Sequence, residues 1–572
     1  MTTPVSESPI FLFADELVGR LAQRDPLLAT QAGIADYDHL LPDFSSEQLA
    51  LEEAETAAEL RSLDAIPVSS DVERVAREVI RERLSVHHDL LAWGDVRRTF
   101  SVLSSPLASV RQVFELMKME MPEDAEVIRL RLLEVRPALK SWRQALVDVA
   151  AAGQLPAVRQ ILGVADQASA HADGGWTLLV RRVAQSASID VGSSGLVAAA
   201  NDAEGACGEL AEWLRTELAP QSSAPEGSGI ERYLRWSRYY TGATLDLQET
   251  YEWGYQDLCR IKDRMWRLAA VLLPGASSLV AVAEHLDNDP ARTIVGADVL
   301  LEKLRSFTAA TVTELNGVHF DIDERIAFCD ARLAPEGSAA APFYIEPSED
   351  LSRPGTTWYP TLGRTSFSWW REATVWYHES VPGHHLQNGI ALLAADRQTR
   401  FHRLAGWTSG YGEGWALYAE RLMDELGYFS DPADELGYLA CQAMRAARVV
   451  VDIGLHLGLE APGDLGVLGA LGDCSGVKWT PAMAVALVEE WALQSHAMSV
   501  SEVDRYLGNP AQAISYKVGE RVWLEAREEA RGRLGDRFSL KAFHADALAL
   551  GPMGLDTFAS EMAAWDGSTD VH

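Results

Sequence analysis

Positive charge is in short supply in this 572-residue chain: 50 Lys and Arg face 83 Asp and Glu, a formal net charge of −33. Nucleic-acid proteins need basic surface to neutralise phosphates, so the balance argues strongly against that class, and more weakly against an anionic membrane surface. A buried site escapes this argument, and an acidic field suits a cation site. Cysteine is sparse as well. Cys207, Cys259, Cys329, Cys441 and Cys474 are odd in number, far apart and without CxxC spacing. That is the pattern of reduced thiols in a cytoplasmic protein. Long hydrophobic runs are missing. The longest, around Leu268 to Ala283, is interrupted by Pro274, Gly275, Ser277 and Ser278 and cannot span a bilayer. The first residues offer neither a basic start nor a long apolar run, so no signal peptide is expected. No fixed-period repeat is found.

What is present is ordinary globular material, 47% hydrophobic and 23% charged. The length allows a large core without disulfides or metals and, as a soft prior, about three to four units. From about Pro9 to Leu218 apolar residues recur at the helical period between polar connectors. The stretch Pro220 to Gly229, PQSSAPEGSG, reads as a loop. It separates an N-terminal helical region, residues 1–225, from residues 226–572, read together as one continuous body. Helices resume over Ile230 to Glu284 and Ala297 to Gly317. Between His319 and Pro360 the short runs HFDI, RIAF, FYIE and TTWYP predict one small sheet. From Ser366 the spacing is helical again, and the fold class is mainly α.

The chemistry is concentrated in Trp376-Tyr377-His378-Glu379-Ser380-Val381-Pro382-Gly383-His384-His385-Leu386-Gln387. In HExxH zinc helices two His four residues apart grip one metal while the Glu handles water. Here Pro382 stands where the second His belongs. An unbroken helix would separate His378 from His385 by about 10.5 Å along its axis, too far to share an ion. A helix that breaks at Val381-Pro382-Gly383 could swing His384 back, with Gly383 supplying the backbone freedom. A chance histidine cluster at a helix C-terminus is the plain alternative.

A second element, SGYGEGWALYAERL from Ser409 to Leu422, weighs against chance. Glu413 and Glu420 lie two turns apart on one face, with Ala416 between them. Glycines 410, 412 and 414 suggest close approach to another backbone. A carboxylate from a following helix is a usual third zinc ligand. Glu413 suits that role, and Glu420 could orient a ligand from behind.

The combination YHESVPGHHLQ and EGWALYAE resembles the bacterial family catalogued as domain of unknown function 885, whose hallmark is HExxPGHHxQ. DLQETYEWG, RPGTTWYP, RVVVDIGLH, EVDRY, PAQAISYKVGE and LGDRFSLKAFHADALALGPMGL extend the resemblance over most of the chain from about Tyr233. The family is similar to gluzincin metallopeptidases and, more distantly, to the thimet oligopeptidase/neurolysin and carboxypeptidase Taq types. The resemblance implies a zincin-like, neurolysin-like helical body with one small β-sheet beside the active-site helix and a deep channel. It implies one Zn²⁺ held by His378, His384 and Glu413, with His384 favoured over His385. Glu379 would then act as general base toward a zinc-activated water. Tyr516, with His385 and His456 behind it, is the candidate for stabilising the oxyanion. Arg448, Asp452 and His456 recur every four residues, as a buried relay or an exterior salt-bridged strip. Around Thr356 to Tyr359 an edge strand could pair with an extended peptide, Tyr359 included. Arg353, Arg505 or Lys517 could hold its terminal carboxylate. The expected partner is a short peptide or another small amide, with no nucleic acid, no membrane and no oligomeric state legible. A hydrolase of a non-peptide amide or ester, and a non-catalytic binding protein on the same scaffold, remain as alternatives. Leu457 to Val477 departs from the family pattern as an insertion.

Overall fold

Side-chain caps set where many helices start. Ser45, Ser70, Ser105, Thr480 and Ser539 each accept from the amide three residues on, satisfying one of the unpaired N–H groups of a first turn. Pro9, Pro26, Pro106, Pro122, Pro432 and Pro481 occupy first-turn positions, where a missing N–H costs nothing. In this computed structural model, residues 8–192, 195–334, 341–349 and 351–567 are described. The fold is mainly helical. No described helix is long and apolar enough to cross a membrane.

The chain forms two compact units, residues 1–235 with 504–510, and residues 236–503 with 511–572. The division lies within the helix Ile230–Thr241, beyond the Pro220–Gly229 loop where composition suggested it. That loop is tied down: Ser222 Oγ donates to the Pro156 carbonyl at 2.7 Å. The described residues of the first unit form helices and no strand, around a core that includes Phe100, Leu107, Trp142, Trp176 and Leu210.

Among the described residues, the second unit carries five strands in two sheets instead of one. β1 (Thr293–Val295) runs antiparallel to β5 (Ser366–Ser368), with Ile294 opposite Phe367. β4 (Thr356–Tyr359) lies between β2 (Asp330–Leu333), parallel to it, and β3 (Phe343–Ile345), antiparallel. Strands of three or four residues are too short to show a clear alternation, so β1, β2 and β5 were not legible. HFDI and RIAF are not strands: Phe320 makes an isolated bridge to Asn316, and Glu324–Ile326 is a 3-10 turn capped by Asp323. The helical reading from Ser366 fails at its first three residues, which pair as β5. Because β4 is flanked on both sides, it cannot serve as the edge that receives a peptide.

β5 leads directly into the motif helix, Trp369–Glu379. An apolar cluster of Ile294, Leu300, Leu304, Tyr359, Phe367 and Trp376 anchors its back, and Trp376 Nε1 donates to Thr308 Oγ1 at 2.7 Å. The glutamate helix, Ser409–Glu425, crosses the helix Ser515–Leu534 at a glycine contact. A Cβ on Gly414 would lie 2.5 Å from Gly519 Cα, so this crossing admits no side chain on either residue.

Candidate metal centre

The motif helix stops at Glu379, and the next helix begins at His384. Between them the Val381–Pro382 peptide is cis. The turn is pinned by the Gly383 amide donating to the Tyr377 carbonyl at 3.0 Å and by the His385 amide donating to Ser380 at 3.1 Å. Trp415 Nε1, from the glutamate helix, donates to the Pro382 carbonyl at 2.9 Å. Gly383 is required for space and not for a left-handed φ. Its φ is −72°, and a Cβ there would lie 1.9 Å from the His378 carbonyl oxygen.

This turn carries His384 back to His378. The two rings meet edge to face with centroids 4.9 Å apart. Nε2 of His378 and Nε2 of His384 face the same Glu413 oxygen at 3.3 and 3.4 Å. One ligand atom from each of the three residues lies within 4.8 Å of the others. Behind them, His378 Nδ1 lies 2.8 Å from Glu420 Oε1, and Thr374 Oγ1 donates to the other Glu420 oxygen at 2.5 Å. Glu420 is fully buried. With Nδ1 donating to this carboxylate, His378 presents the lone pair of Nε2 toward Glu413. The contact between Nε2 and the Glu413 oxygen can be bridged by a proton or by a metal cation. The donor set, two imidazoles and one carboxylate, fits Zn²⁺.

The electrostatics agree. Burial works against a charged His378, yet hydrogen bonds to Glu413 and Glu420 raise its pKa to about 9. Burial pushes Glu413 up, but hydrogen bonds from both imidazoles hold it well below the usual carboxylate range. Without a metal the cluster retains a proton, which a cation would displace. Glu379 is buried and its pKa is raised by that burial, with His378 and His384 pulling the other way. It makes no hydrogen bond or ion pair among the described residues.

The other expected residues separate. The Tyr516 ring lies nearly parallel to the His378 ring, centroids 6.3 Å apart. His385 is engaged on both nitrogens: Nε2–H donates to the Ile326 carbonyl at 2.9 Å, so Nδ1 must accept from the Tyr344 hydroxyl at 3.0 Å. Burial pushes its pKa down to about 4. His385 is therefore a support for Tyr344, whose ring also stacks 6.5 Å from His384, and not a free acid or ligand. Arg448, Asp452 and His456 form a buried strip. His456 Nε2 lies 3.5 Å from Asp452 Oδ1, and Asp452 Oδ2 accepts from the Ala511 amide at 2.9 Å. Asp452 thus holds backbone and His456; the buttress of the metal cluster is Glu420.

The substrate-binding expectations fare differently. Tyr359 is 1% exposed and donates to Glu372 at 2.6 Å. Lys517 is fully buried, with Gln442, Glu520 and Asp257 around its ammonium group. Neither can meet a substrate. Arg353 is exposed beside β4, and Arg505 belongs to the first unit, against Tyr506. Three residues at the site were not legible in the sequence: Tyr344, Trp407, whose ring is 6.1 Å from His384 and 46% exposed, and Arg445. The available signal for Arg445 was a second cation one turn before Arg448 on the same helix.

Residues 26–562 match the family described as "Bacterial protein of unknown function (DUF885)". No curated protein matches the chain. Among solved structures, a candidate lipoprotein from Colwellia psychrerythraea is similar, with a TM-score of 0.79 and 20% identity over 97% of this chain and 98% of that one. A candidate lipoprotein of unknown function from Shewanella oneidensis is similar with a TM-score of 0.71 and 19% identity, over 97% and 100% of the two chains. At these identities the likeness concerns the fold alone.

Proposed function

The chain belongs to the bacterial DUF885 family of unknown function, and on that premise we propose that it is a zinc-dependent hydrolase, a metallopeptidase acting on short peptides. The observation that carries the proposal is the convergence of His378, His384 and Glu413 beside a buried Glu379 whose carboxylate makes no hydrogen bond or ion pair among the described residues. His378, His384 and Glu413 would hold Zn²⁺, which supplies Lewis acidity toward a carbonyl.

The remaining work falls to the chain's own residues. Glu420 locks the His378 tautomer and the ring's direction. Glu379 takes a proton from the attacking water and passes it to the leaving amine. Its raised pKa brings it closer to the range in which a carboxyl both accepts and returns a proton. Tyr516, whose ring borders that of His378, is the candidate donor to the developing oxyanion. An extended peptide would add to the outer strand β3, which carries Tyr344, since β4 is already paired on both sides. The finer architecture that goes with this reading is a zincin-like, neurolysin-like body enclosing a deep channel.

Mass spectrometry of a mixed peptide library incubated with zinc-loaded protein tests the proposal. Cleavage that Glu379→Gln abolishes while zinc stays bound is the expected result. Bound zinc without turnover of any peptide would leave a binding protein instead.

We place the activity in the cytoplasm, in keeping with five free thiols, three of them buried. The similar solved structures are candidate lipoproteins, so the competing placement is the cell envelope. Fractionation of the native host decides between the two.

A further inference from the structure

We propose that Arg445 is the receptor for a substrate carboxylate, so that the site acts on peptides with a free C-terminus and releases one or two residues from that end. The inference rests on the peptidase reading above and narrows its substrate class.

Arg445 lies on the helix Pro432–Leu457, one turn before Arg448. Its guanidinium carbon is 5.9 Å from the centre of the Tyr516 ring, and that of Arg448 is 4.8 Å from the same ring. The Tyr516 ring in turn lies 6.3 Å from that of His378. Two cations therefore sit on the aromatic that borders the metal cluster. They differ in what holds them. Arg448 donates from Nε and Nη2 to Glu502 at 3.1 and 2.9 Å. Arg445 forms no ion pair among the described residues. Its one hydrogen bond is a long contact of 3.5 Å from Nη1 to the Cys441 carbonyl, and its Nε is buried with no partner. Two carboxylates couple to it through space, Glu420, with both oxygens committed to His378 and Thr374, and Glu379, which forms no ion pair with it.

A half-buried guanidinium left without a carboxylate is costly. It is also unexpected in a chain with 83 acidic residues against 50 basic ones. The unspent donors of a planar guanidinium match a carboxylate with two hydrogen bonds. The position also limits reach. The two ring separations keep the guanidinium within about 12 Å of the His378 ring, and an extended chain advances about 3.5 Å per residue. Contacts at both ends take up part of that span, which leaves room for one or two residues between the cut and the terminus.

The test uses zinc-loaded Glu379→Gln protein, in which turnover is blocked, and calorimetry. The probe is a mixed tetrapeptide library, acetylated at the N-terminus, in free-acid and C-amidated forms. Amidation should weaken binding by about 10- to 100-fold, the loss of a charged hydrogen-bonded pair. Adding Arg445→Gln should make acid and amide bind alike with zinc content unchanged. If that variant loses zinc, Arg445→Lys, which keeps the charge but not the fork, should retain zinc and lose most of the preference. On the enzyme with Glu379 intact, amidation should act on KM more than on kcat, and the fragments released should be one or two residues long. Equal binding of acid and amide, no binding of either, an undiminished preference in both Arg445 variants, or longer fragments would overturn the proposal. Preferential binding through Arg445 without any cleavage would keep the carboxylate receptor and overturn the peptidase reading instead.

Discussion

His378 is held between two glutamates of one helix: Nδ1 lies 2.8 Å from Glu420 and Nε2 3.3 Å from Glu413. The ring is thus oriented from behind by a fully buried carboxylate and aimed at a second, partly accessible one.

Glu420→Ala should therefore weaken zinc binding although Glu420 is not a ligand. Loss of such an outer partner costs about 10- to 100-fold in metal affinity. Competition against a chelator of known affinity measures it, and an unchanged affinity would remove Glu420 from the metal's support.

The two adjacent histidines should behave oppositely. His384→Ala should abolish zinc retention, and added zinc should no longer raise the melting temperature. His385→Ala should retain zinc and lose rate, because the Tyr344 hydroxyl and the Ile326 carbonyl lose their partner. An unsatisfied buried group costs about 1–3 kcal/mol, so its melting temperature should fall as well. Metal analysis giving the reverse pattern would reassign the ligand.

Gly383→Ala should disturb the site without touching a ligand. Its Cβ would collide with backbone 1.9 Å away, and overpacking of this kind costs about 1–3 kcal/mol. Thermal denaturation and zinc stoichiometry should fall together. Full zinc content at unchanged stability would show that the turn can relax.

Lys517→Met should reduce stability and leave KM alone. It removes the ammonium group that Asp257 and Glu520 share and leaves them only Arg260 and Arg421, and breaking a buried pair costs about 3–5 kcal/mol. Chemical denaturation and peptide kinetics separate the two effects; a raised KM at normal stability would restore Lys517 to the substrate site.

Acid should destabilise the second unit through His402 and His544, both buried. Burial foremost depresses their pKa values, from 6.5 to about 4 for His402 and about 3 for His544. The unfolded chain binds these protons first, so stability is full above about pH 6.5 and declines as pH falls toward 4. Replacing His544 with Phe should flatten that slope in denaturation measured at several pH values.

The His/Glu cluster was legible because its parts are local. A helix broken by Pro382-Gly383 and a glycine-led helix bearing Glu413 and Glu420 are patterns of a few residues each, and helical periodicity carries over long segments. Three-residue strands offer no such period, so β1, β2 and β5 were missed. The roles of Tyr359, Lys517 and His385 were misread for another reason. A tyrosine or lysine in a motif looks the same whether it faces substrate or a buried carboxylate, and only packing tells which.

By itself the sequence determined the mainly helical class and the identity of the residues that can bind a metal, because spacing and breakers act within a few residues of chain. The tertiary structure decided which histidine completes the cluster, which carboxylate stands behind it, which strand edge is open and which arginine beside the cluster has no ion pair among the described residues. Those depend on contacts between segments far apart in sequence, such as Thr374 with Glu420 and Tyr344 with His385, and no local pattern encodes them.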